Sequence, residues 1–185
     1  MRVARVAVTA GLLVAGASAV GAVRAATRLD RLHVRTDAAW AALDAALCSR
    51  ARAVRGADGS ATLRHAVDAA LLAGSDVALR AGPDRALRTG AVVREEVENE
   101  LGRVLAVLDR HGLDPACADR LADAEQRVVI ARRVYNDAVR DTLALRSRYL
   151  VRWLRLAGTA EAPRYFEIAE PVPPSAGLEL DGAGA

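Results

Sequence analysis

A chain of 185 residues has room for one domain and not comfortably for two. Its net charge is +3 and all 26 basic residues are arginine, a usage that fits a GC-rich genome better than a phosphate-binding surface. That charge is far below the basic stripe of a nucleic-acid binder, and the two lone cysteines, Cys48 and Cys117, have no CxxC and no His at ligand spacing, so each reads as a small buried hydrophobe rather than half of a disulfide or a metal ligand.

Residues 1–5 form a short flank with Arg2 and Arg5. An uncharged run follows from Val6 to Val23, and Arg24 and Arg28 close it. Eighteen residues at about 1.5 Å each reach roughly 27 Å, close to the hydrocarbon core of about 30 Å. Small residues four apart, Gly11/Ala15 and Ala17/Gly21, suit close packing in a membrane. The run therefore predicts a single transmembrane helix over 6–23, with the bilayer as its partner. The alternative is a cleaved signal peptide, with small-residue triplets at 17–19 and around 24–26, which would make this a secreted or envelope binding protein. Arg24, Arg28, Arg31 and Arg35 outnumber the arginines ahead of the run. The positive-inside tendency then places the N-terminus outside the cell membrane and the body in the cytoplasm.

From Ala26 to Val54 there is neither Pro nor Gly, and Leu29, Leu32, Trp40, Leu43, Leu47 and Val54 make one apolar stripe. This predicts a long amphipathic helix that continues the membrane run. After GADGS (56–60), Ser60 is the expected N-cap of a second helix, with Leu63, Val67, Ala70, Leu71, Gly74, Val77 and Ala78 on its apolar face. That helix is expected to stop at 81–83, where Pro83 disfavours helix at Gly82. A third is expected to start between Arg85 and Ala91, with Val93, Val97, Leu101, Val104, Leu105 and Leu108 inside. Glu95, Glu96, Glu98 and Glu100 are read as complementing the dipole of its first turns, and Gly112 as its C′ residue. Asp114 and Pro115 give the clearest helix start in the chain. The fourth helix is expected to run to about Ala157, with Leu121, Ala124, Val128, Ala131, Tyr135, Ala138, Thr142, Leu145 and Tyr149 on one face.

No alternating strand pattern occurs. The fold class is all-α: an elongated antiparallel four-helix bundle over 26–157, behind an N-terminal transmembrane helix. Residues 158–185 read as a short closing segment and a Pro/Gly/acidic tail too poor in apolar area to fold.

Within the fourth helix, Tyr135 and Asn136 stand where Leu and Ala would serve helix propensity better. A half-buried Asn that needs a partner selects one register among many in an Ala- and Leu-rich bundle, so Asn136→Leu is expected to leave the helices folded. Arg132, Arg133 and Arg140 are candidates for an exposed interaction face, with Asp137 in pairing distance at i,i+4 and i,i+3 spacing.

IARRVYNDAVRD (130–141) resembles the most recognisable motif of the LemA family, an Arg-Arg-x-Tyr-Asn-Asp-Ala-Val run. Tyr165-Phe166-Glu167 resembles the aromatic-Phe-Glu element that closes that family's domain. RLDRLHVRTDAAWAALDAAL (28–47) is similar to its first helix, with Trp40 at the matching place, and VENELGRVLAVLD (97–109) to its third. The resemblance implies an N-terminal transmembrane helix and a helical bundle, and no mechanism. Two family features are missing: an Ile-Pro-Asn-Leu-Val-like segment after the first helix, and a second Tyr-Asn-Pro. The chain is identified as a divergent member.

No Gly-rich phosphate loop, GxSxG or HExxH occurs, and His33, His65 and His111 lack partners that sequence can name. Asp30-x-x-His33 is a distant echo of a bundle metal motif and reads as a solvated face. The expectation is a non-enzymatic scaffold or adaptor, without metal or cofactor and without nucleic acid. Its protein partner is unnamed by the sequence, and a homo-oligomer stays open.

Overall fold

With no Pro anywhere in its first 53 residues, the chain has nothing to break its first helix. In the computed structural model, α1 runs unbroken from Arg2 to Ala53. Its 52 residues make it about 78 Å long. The structure describes residues 2–57, 60–80, 86–153 and 162–169. The expected stop at 81–83 and the expected disorder of 171–185 lie outside the described residues. So do the side chains of Val77 and Ala78.

α2 spans Ala61–Arg80 and α3 spans Ala86–Ala106. A 3-10 turn at Arg110–Gly112 leads into α4, Pro115–Arg146, and then α5, Tyr149–Trp153. Among the described residues there is no strand. Two of the expected starts are made as read. The Ser60 hydroxyl accepts the Leu63 N–H at 3.2 Å, and Asp114 accepts the Cys117 N–H at 3.2 Å with Pro115 in the first turn.

The contacts fix the direction of each helix. Arg35 meets Asp141, Trp40 meets Tyr135, and the Cys117 thiol reaches the Ala53 carbonyl, so α1 and α4 run antiparallel. Cys48 faces Gly74, and Val54 clusters with Leu63, so α2 returns along α1. Asp44 and Arg50 of α1 meet Arg94 and Glu98 in the same order, so α3 runs parallel to α1. The result is an up-down-up-down four-helix bundle, the order short connections favour.

The core follows the apolar stripes. Leu43, Leu47, Leu101, Leu121, Tyr135 and Ala138 are wholly buried. One cluster joins Trp40, Leu43, Leu47, Val128, Tyr135 and Phe166; another joins Val54, Leu63, Val67, Leu101, Leu105 and Leu121. A third, smaller one at the far end holds Leu29, Leu145 and Val151.

Four expectations are corrected. α3 begins at Ala86, so Glu95–Glu100 run from its middle toward its C-terminal end rather than sitting at its positive end. Val93 is 51% exposed, and its neighbour Arg94 takes the inward position. α3 ends at Ala106, so Gly112 closes the 3-10 turn and is no helix C′ residue. α4 stops at Arg146 instead of about Ala157. Ser147 caps it, its hydroxyl donating to the Ala144 carbonyl at 2.9 Å, and Tyr149 turns outward, 92% exposed.

Among the described residues no helix is long and apolar enough to cross a membrane. The side chains of 6–15, the greater part of the 6–23 run, lie outside the described residues.

Candidate functional site: a clamp on the closing segment

Residues 162–169 belong to no helix or strand, so their backbone groups need partners from the helices. Tyr135 and Asn136 supply them. The Tyr135 hydroxyl donates to the Arg164 carbonyl at 2.8 Å. The Asn136 amide donates to the Phe166 carbonyl at 3.1 Å, and its oxygen accepts the Phe166 N–H at 2.9 Å. One side chain thus satisfies both backbone groups of one residue, as a neighbouring strand would. α3 holds the other edge: Glu95 accepts the Glu167 N–H and Asn99 accepts the Ala169 N–H, each at 2.8 Å.

Backbone anchoring turns Phe166 inward, where it is 1% exposed. It meets the edge of Trp40 with ring centroids 5.6 Å apart, while Tyr135 packs on Trp40 at 5.3 Å. Burial of a Phe contributes about 1.5–3 kcal/mol, and each aromatic pair adds about 0.5–1.5 kcal/mol. Helices α1, α3 and α4 therefore converge on one eight-residue strap.

The partner of Asn136 is this strap and not a facing helix. The expected register-setting role is corrected accordingly: the Asn fixes where the C-terminal segment lies. Around it, Arg133 is exposed and Arg132 is half-buried. Arg140 pairs with Asp137 at 3.1 Å on the solvent side, an interaction of a few tenths of a kcal/mol.

Burial pushes the Tyr135 hydroxyl from 10.0 up to about 12, and the Glu95 and Asp37 carboxylates add to the rise. The folded chain keeps this proton at pH values where the unfolded chain has begun to lose it. The stabilisation is complete below about pH 10 and is lost as the pH rises toward 12. Urea midpoints measured from pH 9 to 12 should fall over that window, and those of Tyr135→Phe should lack this component.

The two family-like elements of the sequence are the two halves of this contact. No family model, curated protein or solved structure matches the chain. Its chemistry rests on its own geometry.

Behind the clamp, α3 carries a buried ionic cluster that the sequence reading missed. Arg94 is 0% and Glu98 1% exposed. Arg50 donates to a Glu98 carboxylate oxygen at 2.6 Å. Arg94 lies 3.1 Å from the other Glu98 oxygen and 3.3 Å from Asp44. These last two contacts are within ion-pair distance but misaligned for hydrogen bonding, so the Glu98 Oε1 and Asp44 Oδ1 atoms have Coulombic partners only. Arg94 also donates to the Ala70 carbonyl and, at 3.4 Å, to the Cys48 sulfur. Burial pushes the Glu98 and Asp44 carboxyls up, and the neighbouring guanidiniums offset this only in part.

Gly74 makes room for the cluster. A Cβ there would sit 2.6 Å from the Cys48 sulfur and 3.1 Å from Arg94 Nη1. Gly74→Ala should cost about 1–3 kcal/mol through overpacking, despite the better helix propensity of Ala. Thermal melts should show Cys48→Ala recovering most of that loss in the double variant. Equal losses with and without Cys48 would place the clash elsewhere.

Among the described residues, no group of three or more His, Cys, Asp or Glu side chains could hold a metal ion.

Proposed function

We propose that this is a non-enzymatic, LemA-like scaffold or adaptor, held at the cell membrane by residues 6–23 with its bundle on the cytoplasmic side. The observation that carries the reading is the continuity of α1. The helix that contains the uncharged run is the same helix that supplies Trp40, Leu43 and Leu47 to the core. A spanning segment built this way leaves the bilayer as a wall of the bundle and needs no linker. Four arginines at 24, 28, 31 and 35 follow the run, as a cytoplasmic flank requires.

The clamp supports the adaptor half of the reading. It pairs with the backbone of the segment it holds and buries one aromatic side chain from it, the combination by which a pocketed, strand-like contact recognises a peptide. The half-buried and exposed arginines of α4, Arg132, Arg133 and Arg140, flank it and offer a partner-facing surface.

Intact mass of the protein from a carbonate-washed membrane pellet tests the anchor, with soluble and medium fractions alongside. Full-length chain in the pellet is expected. A soluble product shorter by about 19–26 residues would overturn it in favour of signal cleavage and a partner outside the cytoplasm.

A further inference from the structure

The chain has two Trp, three Tyr and one Phe. Trp40, Tyr135 and Phe166 form the buried trio of the clamp. The two most exposed aromatics stand together at the other end of the bundle, on α5. Tyr149 is 92% and Trp153 81% exposed, and their i,i+4 spacing puts both on one face of the helix. Val151, between them, is 2% exposed and fastens α5 to Leu29 and Leu145. The aromatic face is thus held outward by a buried anchor and is not a frayed end.

Its height along α1 is what gives it meaning. α5 lies level with residues 21–29, where a cleft is lined by Gly21, Arg24, Ala25, Arg28, Arg148 and Tyr149. From Val23, the last residue of the uncharged run, to Leu29 is about 9 Å along the helix. The headgroup layer on one side of a bilayer is about 5–8 Å thick. Amphipathic aromatic rings favour that layer, and arginines beside them favour anionic headgroups. Three cationic side chains, Arg24, Arg28 and Arg148, rim the cleft.

We propose that α5 is a second membrane contact: Tyr149 and Trp153 lie in the headgroup layer of an anionic bilayer, with Arg24, Arg28 and Arg148 on lipid phosphates. This rests on the anchor reading and adds that the bundle is fixed against the surface at two points rather than hung from one.

The test uses the full chain in vesicles of mixed phosphatidylglycerol and phosphatidylcholine whose acyl chains carry bromine near the headgroup. Flotation reports the anchor, and tryptophan quenching reports α5. The chain should float, and bromine should quench the Trp153 share of the emission while sparing buried Trp40. Trp153→Phe should float and lose the quenched share; its circular dichroism should match the parent. A chain that floats with Trp153 unquenched overturns this contact and leaves the anchor standing. A chain that does not float overturns both. Equal quenching in vesicles of phosphatidylcholine alone overturns the anionic surface as the occupant.

Discussion

Replacing Arg94 with Met should lower the unfolding free energy by about 3–5 kcal/mol, against a stability of about 5–15 kcal/mol for an ordinary domain. The reason is what remains behind. Glu98 keeps Arg50 but loses the charge beside its second oxygen, Asp44 loses its ion-pair partner at 3.3 Å, and the Ala70 carbonyl loses a buried donor. Desolvation of those groups is then uncompensated. Removing the charges together is different. A triple variant, Arg50→Met, Arg94→Met and Glu98→Leu, takes both guanidiniums and their shared carboxylate out of the core. It leaves Asp44, whose side chain is 21% exposed and can hydrate. Chemical denaturation should return the triple variant to near or above parental stability. A triple variant as weak as Arg94→Met alone would show that shape, and not unpaired charge, dominates the loss.

Asn136→Leu should release the strap while the four helices stay formed. Both backbone groups of Phe166 lose their partner, at about 1–3 kcal/mol for each one left unsatisfied. Partial access to water reduces the sum to about 2–3 kcal/mol. The Leu gains helix propensity, so helicity by circular dichroism should hold. Hydrogen exchange separates the two effects. The Phe166, Glu167 and Ala169 amides should exchange faster by roughly 30-fold or more, corresponding to about 2 kcal/mol of local stability. Core amides of α4 near Leu121 should change little. Uniform acceleration across all four helices would mean that Asn136 supports the whole bundle rather than the strap.

The helices were legible because their signals are local and repeated. Leu29, Leu43, Leu47 and Val54 recur at helical spacing, and all four are buried. Asp114 with Pro115, and Ser60, mark starts by side-chain chemistry that acts within three residues. The end of α4 left no such mark. Ser147 is a weak breaker, and nothing in the run to Ala157 contains Gly or Pro. The buried ionic cluster was hidden by its own composition. Arg94 and Glu98 at i,i+4 look like a surface pair in a chain where every basic residue is arginine. Gly74 was the available hint: a glycine placed on the apolar stripe of α2 implies a bulky neighbour opposite. For the clamp, the residues themselves offered an anomaly of propensity at Asn136, and the resemblance marked Tyr165-Phe166-Glu167 without pairing the two. Its partner lies 30 residues away in a segment outside every helix, and no periodicity links the two.

Phe166 also imposes an order of assembly. Its segment is held by Trp40 from α1, by Asn136 from α4, and by Glu95 and Asn99 from α3, which bind the two later N–H groups at Glu167 and Ala169, so no subset of these helices holds it completely. Closing contacts between positions as distant as 40 and 166 carries the loop entropy of nearly the whole body, and it is compensated only once the intervening helices are already paired. During synthesis the strap leaves the ribosome after every helix it touches. Until then the Trp40–Tyr135 face lacks its Phe166 cover. Of the described contacts, those of the strap are the last that the chain can complete as it is synthesised.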